Sequence, residues 1–146
     1  MIDVLLCHVA GRACSLPLEV VIETMRPLPI RQVPGGPPAV LGISIIRGEP
    51  TIVVDAGRIL GDHAGVPERF VTLRLGARAI ALAVDSVTGV RRLQRAQLHE
   101  LPPLLAGAEA IEALGVADQE LLLALRAAHL VPDDVLRALE AELQAG

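Results

Sequence analysis

The sequence predicts a mainly β protein built from two small barrels. Three observations carry that expectation: apolar runs of strand length, turn signals recurring every 8 to 12 residues or so, and a polar break containing Gly and Pro at 61–68, near the middle. Only the C-terminal segment repeats its apolar residues at helical spacing.

The elements follow in order. Ile2 to Val9 and Ala13 to Leu18 are apolar runs flanking Ala10-Gly11-Arg12, which reads as a hairpin. Val20 to Met25 is rich in β-branched residues and extends the set. Residues 26–38 hold five prolines and the pair Gly35-Gly36, a density that excludes a regular ladder and predicts an ordered crossing loop. Val40 to Ile46 and Thr51 to Val54 are strands about the turn Arg47-Gly48-Glu49-Pro50, and Asp55 is placed to cap a short helix through Leu60.

The second half repeats the pattern. Arg69 to Leu75 alternates, with Phe70, Thr72 and Arg74 on one face and Val71, Leu73 and Leu75 on the other. Gly76-Ala77-Arg78 turns into Ala79 to Val84, and Val87 to Leu93 follows with a bend at Gly89. Pro102-Pro103 opens a longer excursion. Ala110 to Val116 and Glu120 to Ala127 flank the turn Ala117-Asp118-Gln119. Pro132-Asp133-Asp134 starts a helix over 132–145, whose Val135, Leu136, Leu139 and Leu143 share one face.

Composition narrows function. The 146 residues are 52% apolar and 21% charged, ample for a core and unlike a disordered chain. The net charge of −4 is the wrong sign for gripping phosphate backbones, so no nucleic-acid partner is expected. Phe70 is the only aromatic residue, too few for base-stacking platforms or aromatic cages. All 13 basic residues are Arg, which removes Schiff-base chemistry and a phosphate-loop lysine. Nothing in the start MIDVLLCHVAGRAC reads as a secretory leader, and no apolar run approaches the roughly 20 residues of a membrane span. A cytoplasmic protein without membrane insertion, with Cys7 and Cys14 as thiols, is therefore expected.

Four segments are more specific than the pattern around them. CSLPLEVVIET, QVPGGPPAVLGISIIRGEPTIVVDAGRILG, FVTLRLGARAIALAVDSVTGVRRL and EALGVADQELLLAL come in that order and at their observed separations. Together they resemble the CheW-like family, the coupling proteins of bacterial chemotaxis arrays, over roughly Val4 to Leu143. The resemblance implies a single domain over 1–146: two intertwined five-stranded SH3-like barrels, at 1–62 and 68–127, then the C-terminal helix. It also selects strand for Leu121 to Leu125, where Ala-Leu richness alone favours helix.

The function so implied is that of a non-enzymatic adaptor recruited to receptor arrays. It would join the cytoplasmic tip of a chemoreceptor to the regulatory domain of a histidine kinase. Arg47-Gly48 matches the family's receptor-facing Arg-Gly turn, Val21 and Glu23 match its V-x-E segment, and Val84, Asp85 and Val87 match its V-D-x-V strand. These seven residues are the expected partner-binding set. The chain departs from the pattern at Ile45, where Asn is usual, at Ile52, whose proline has moved to Pro50, at Ala56, and at Cys7 and Cys14, which replace aromatics. The departures at Ile45, Pro50 and Ile52 motivate an alternative: an accessory protein that binds receptor, does not recruit kinase, and insulates or modulates the array.

Plainer readings stand beside these. Arg47 is otherwise a solvated turn residue, Glu23 a solvated strand acid, and Asp85 the cap of a bend. Cys7 and Cys14 lie opposite each other if the hairpin is tight, and with His8 they suggest a small thiol or metal enzyme. Two cysteines with His8 on the other face are poor metal spacing, and small core residues are the simpler reading. His63, His99 and His129 form no ligand pattern, and no G-x-S-x-G occurs. Catalytic, metal and cofactor sites are therefore not expected.

Overall fold

The computed structural model of the chain describes residues 1–61, 66–105, 109–127, 130 and 137. Its strands follow the apolar runs: β1 (Ile2–Val9), β2 (Arg12–Pro17), β3 (Val21–Met25), β4 (Val40–Ile46), β5 (Glu49–Asp55), β6 (Arg69–Leu75), β7 (Arg78–Val84), β8 (Ser86–Leu93), the short β9 (His99–Glu100), β10 (Ile111–Ala117) and β11 (Glu120–Leu125). One helical turn, α1 (Ala56–Ile59), follows β5, and Asp55 caps it by accepting a hydrogen bond from the Gly57 N–H at 2.9 Å. The expected helix over 132–145, His63 and His129 lie outside the described residues.

Two-residue turns set the hairpins. Ala10-Gly11, Arg47-Gly48 and Asp118-Gln119 all have positive φ at both positions, the geometry that matches strand twist. The turn read at 47–50 is shorter than expected, since Glu49 and Pro50 already belong to β5. Pro50 lies opposite Ile45, and β5 pairs with β7 only from Ile52 onward. Its missing N–H therefore leaves no ladder bond unmade.

The strands form two sheets. The first runs β3-β6-β7-β5-β4 and the second β8-β1-β2-β11-β10-β9. Apart from the short β9, the two repeat one another strand for strand. In each, an edge strand pairs with a hairpin, the hairpin pairs in parallel with a strand from far along the chain, and that strand returns through a second hairpin. The parallel register Ile52↔Ile80 of the first sheet recurs as Leu123↔Cys14 in the second. The irregularities recur too: an extra residue at Ile22 corresponds to one at Thr88, and one at Leu41 to one at Glu112. Even the closing backbone bonds agree, Asp55 N–H to Ala39 O at 2.8 Å and Arg126 N–H to Ala110 O at 2.7 Å.

This arrangement corrects the expected division at 62. The break near the middle separates two repeats in sequence, yet each sheet takes one hairpin from the other repeat: β1–β2 completes the second sheet and β6–β7 the first. Barrels bounded at 1–62 and 68–127 therefore do not follow the sheets. The mainly β class holds, and the intertwining is this exchange of hairpins.

Three apolar clusters result, because the central strands are buried on both faces. Ile46, Val53, Phe70, Ala81 and Ala83 fill the inside of the first sheet, and Val4, Leu6, Ala13, Leu93 and Leu122 the inside of the second. The alternate residues of the same strands, among them Leu5, Cys7, Leu16, Ile52, Val71, Leu82 and Leu123, meet in a larger core between the sheets. Burial on both faces explains why these strands read as near-continuous apolar runs.

Candidate functional site: an ion-paired turn at the end of the first sheet

Arg47 stands at the tip of the β4–β5 hairpin with φ 53°, a left-handed conformation that a side chain other than glycine adopts at a cost. Gly48, at 78°, takes the same region freely. The turn projects the Arg47 side chain outward, where 78% of it is exposed. Its guanidinium donates to both carboxylate oxygens of Glu23, Nε to Oε2 at 3.0 Å and Nη2 to Oε1 at 2.6 Å. This planar two-bond pairing is the geometry arginine is suited to. It bridges β3 and the β4–β5 turn, the two edges of the first sheet, and so holds the sheet in a roll.

Glu23 is placed by its neighbours. It follows the extra residue Ile22, where the β3–β6 ladder is irregular. The buried Thr72 hydroxyl repairs the gap, accepting from the Glu23 N–H and donating to the Glu23 carbonyl, both at 3.2 Å. The paired guanidinium holds the Glu23 carboxyl below the ordinary glutamate range and raises Arg47 in turn. Both charges therefore persist at neutral pH. A groove of about 800 Å³ opens beside the pair, lined also by Ile22, Ile46, Thr51, Thr72 and Arg74. Of the lining residues Ile22 is an exposed aliphatic side chain, and Ile45, two residues before Arg47, is exposed as well.

The expected partner-binding residues divide into two groups. Glu23, Arg47 and Gly48 come together here, with Val21 one position before the bulge on the same strand. Val84 ends β7, Asp85 follows it and Val87 stands near the start of β8, and none of the three lines this groove. Val84 is only 2% exposed and packs in the core between the sheets, so its side chain meets other core residues. Asp85 is exposed, and its N–H donates to the His8 carbonyl at 2.9 Å, fixing the bend between β7 and β8 to β1. Val87 holds in the second sheet the place Val21 holds in the first, one residue before the corresponding bulge. The V-x-E and V-D-x-V segments thus meet at one equivalent position, Val21 and Val87, at the start of corresponding edge strands.

Thr72 and the flanking Ile22 were not singled out from sequence. A hydroxyl between Val71 and Leu73 in an apolar strand was the available signal for the first. Ile45, read as a departure from the usual Asn, proves 62% exposed, while Ile52 is buried between the sheets.

The thiol and metal reading meets a different geometry. Cys7 and Cys14 are directly paired and fully buried, whereas His8 turns to the other face, with Nε2 3.2 Å from Glu120 Oε2 and Nδ1 3.5 Å from Thr88 Oγ1. Among the described residues no group of three or more His, Cys, Asp or Glu is placed to hold a metal ion. Among them, too, no helix is long and apolar enough to cross a membrane.

Comparison with known proteins agrees with this fold. A family model described as the CheW-like domain matches residues 3–135. Among solved structures, the crystal structure of scaffolding protein TtCheW from Thermoanaerobacter tengcongensis is similar with a TM-score of 0.80 at 19% identity, covering 88% of this chain and 91% of that one. No curated protein matches the chain. The chain belongs to the CheW-like domain family of non-enzymatic chemotaxis scaffold and adaptor proteins.

Proposed function

We propose that the chain couples the cytoplasmic tip of a chemoreceptor to the regulatory domain of a chemotaxis histidine kinase, acting in the cytoplasm at receptor arrays. The ion-paired end of the first sheet is its receptor contact. The observation that carries this reading is the Arg47–Glu23 pair, exposed on Arg47 and beside a groove that the exposed Ile22 also lines. Exposed aliphatic side chains contribute about 25 cal/mol per Å² of area they bury against a partner. The charges fix orientation and exclude wrong partners. A carboxylate on a receptor helix competes with Glu23 for the Arg47 guanidinium, while Thr72 and Gly48 hold the two elements in place. Asp85 and Val87 form a second part of the contact surface at the joint between the sheets, with Val84 packed beneath them.

Coupling needs both partners bound at once and a kinase affinity that depends on receptor state. Arg47→Glu should weaken retention on a receptor cytoplasmic fragment about tenfold or more while the chain stays folded at the assay temperature. Unchanged retention removes Arg47 from the contact.

A second reading has one observation in its favour. Ile45 places an exposed aliphatic side chain beside Arg47 where Asn is usual in the family, which alters the polar bonding available there. In this reading the protein binds receptor without recruiting kinase. Co-elution with the cognate kinase regulatory domain in size-exclusion chromatography eliminates it, and separate elution favours it.

A further inference from the structure

Cys7 and Cys14 take no part in the contact surface. They are direct partners across the β1–β2 hairpin, and both belong to the core between the sheets, so their side chains lie on the same face. The corresponding places in the first sheet are filled by Leu73 and Ile80 in that same core. Opposed Cα atoms of an antiparallel pair are about 4.5–5.5 Å apart. That lies within the span of about 4.4–6.8 Å that a disulfide bridges. Both thiols are free and neither has exposed surface.

We propose that Cys7 and Cys14 form an oxidative modification site, a dithiol that a small-molecule disulfide converts to a cross-strand disulfide, with the shared core gating the reaction until the β1–β2 hairpin opens. Burial pushes both thiols up, Cys14 to about 12, and the Asp85 carboxylate adds to the effect while Arg12 partly offsets it at Cys14. The attacking thiolate is therefore scarce in the folded chain. With glutathione disulfide as the oxidant, the Cys7 thiolate of the opened hairpin attacks one sulfur. The glutathione S–S bond breaks and one glutathione thiolate leaves. The Cys14 thiolate then attacks the Cys7 sulfur and expels the second glutathione. The protein loses two electrons and two protons, and the oxidant becomes two molecules of glutathione. The product ties β1 to β2 in their native register, within the hairpin that the first repeat lends to the second sheet.

The test uses the full chain with glutathione disulfide, following free thiols and intact mass in native buffer and in urea. Native thiols should disappear at least about a hundredfold more slowly than unfolded ones. The wild-type product should be lighter by two hydrogens and carry no glutathione. On removal of urea it should refold with a higher urea midpoint than the reduced chain. Cys7→Ser and Cys14→Ser, oxidised in urea, should each stop at a mixed disulfide with glutathione. Native thiols reacting as fast as unfolded ones would overturn the gating. A persistent glutathione adduct on the wild type, or an oxidised chain that refolds with a lower midpoint, would overturn the pairing.

Discussion

The two sheets close their rolls in the same way with opposite charges. In the first, an acid on the edge strand holds an arginine on the opposite turn, Glu23 to Arg47. In the second, an arginine on the edge strand holds an acid on the corresponding turn, Arg91 to Asp118, with Nη1–Oδ1 at 3.2 Å and Nη2–Oδ2 at 2.8 Å. Arg47 and Asp118 occupy the same turn position, with φ of 53° and 51°. The shared turn thus carries a bridge of either polarity, although its edge-strand partner lies two residues further along in the second sheet, where Arg91 corresponds to Met25 and Gly89 to Glu23. A CheW-like chain can therefore present two chemically distinct ends from one repeated plan. The surroundings differ as well. The first bridge stands beside an open groove, whereas at the matching end of the second sheet His8 lies between Glu120 and Thr88.

The interiors offer the largest contrast. Phe70 fills the first roll, and the matching place in the second is held by Val4. Phe70→Ala should cost about 3–5 kcal/mol in urea denaturation, and Val4→Ala clearly less, because the cavity left is smaller. Equal losses would mean that the two rolls are filled alike. The bulges come next. Thr72 bonds both backbone groups of Glu23, while Leu6 occupies the same place in the second sheet and supplies no hydroxyl. Thr72→Val should cost about 1–3 kcal/mol and loosen Glu23, seen as faster amide exchange in β3. No change there would mean that the first bulge, like the second, holds without a hydroxyl.

The strand ends following β5 and β11 sharpen the contrast through pH. Asp55 is buried, and Oδ2 has no hydrogen-bond partner among the described residues and lies 3.8 Å from Arg58 Nε; its counterpart Arg126 is exposed. Burial raises the Asp55 carboxyl above its ordinary 3.8, against the opposing hydrogen bonds from Gly57 and Arg58. The folded chain therefore holds this proton to higher pH than the unfolded one. The resulting penalty is fully present at neutral pH and vanishes as pH falls through the raised value and below 3.8. Asp55→Asn keeps an oxygen for the Gly57 N–H, so it should stabilise at pH 7 and lose that advantage in acid. Destabilisation at pH 7 would show that the charge itself supports the fold. Glu23 has the opposite sign: its lowered carboxyl keeps the bridge intact at neutral pH and surrenders it only as pH falls below the ordinary glutamate range. The smallest expected effect is at the second turn, where Gln119 has φ 66° and Gly48 fills the same place in the first sheet. Gln119→Gly should raise stability by about 0.5–1 kcal/mol, measured as a shift in thermal midpoint.

Much of the fold was legible because glycine and apolar runs report local geometry. Gly11, Gly48 and Gly76 marked three hairpins, and Asp55 marked the cap of α1. Leu121 to Leu125 was strand by resemblance and not by propensity, since a strand buried on both faces loses the alternation that distinguishes it from a helix. The exchange of hairpins was hidden for the same reason: alternation shows which face is buried but not which sheet a strand joins. Arg47 and Glu23 were each legible as candidates. Their bond was not, because it spans the proline-rich loop between β3 and β4 and depends on how far the sheet rolls.

In the proposed function the first sheet's ion-paired end, and not its charge-reversed counterpart, meets the receptor. Titration of a receptor cytoplasmic fragment into wild type, Arg47→Glu and Arg91→Glu tests it most directly. Arg47→Glu should bind at least about tenfold more weakly, and Arg91→Glu should bind like the wild type. Equal losses, or a loss confined to Arg91→Glu, would contradict it.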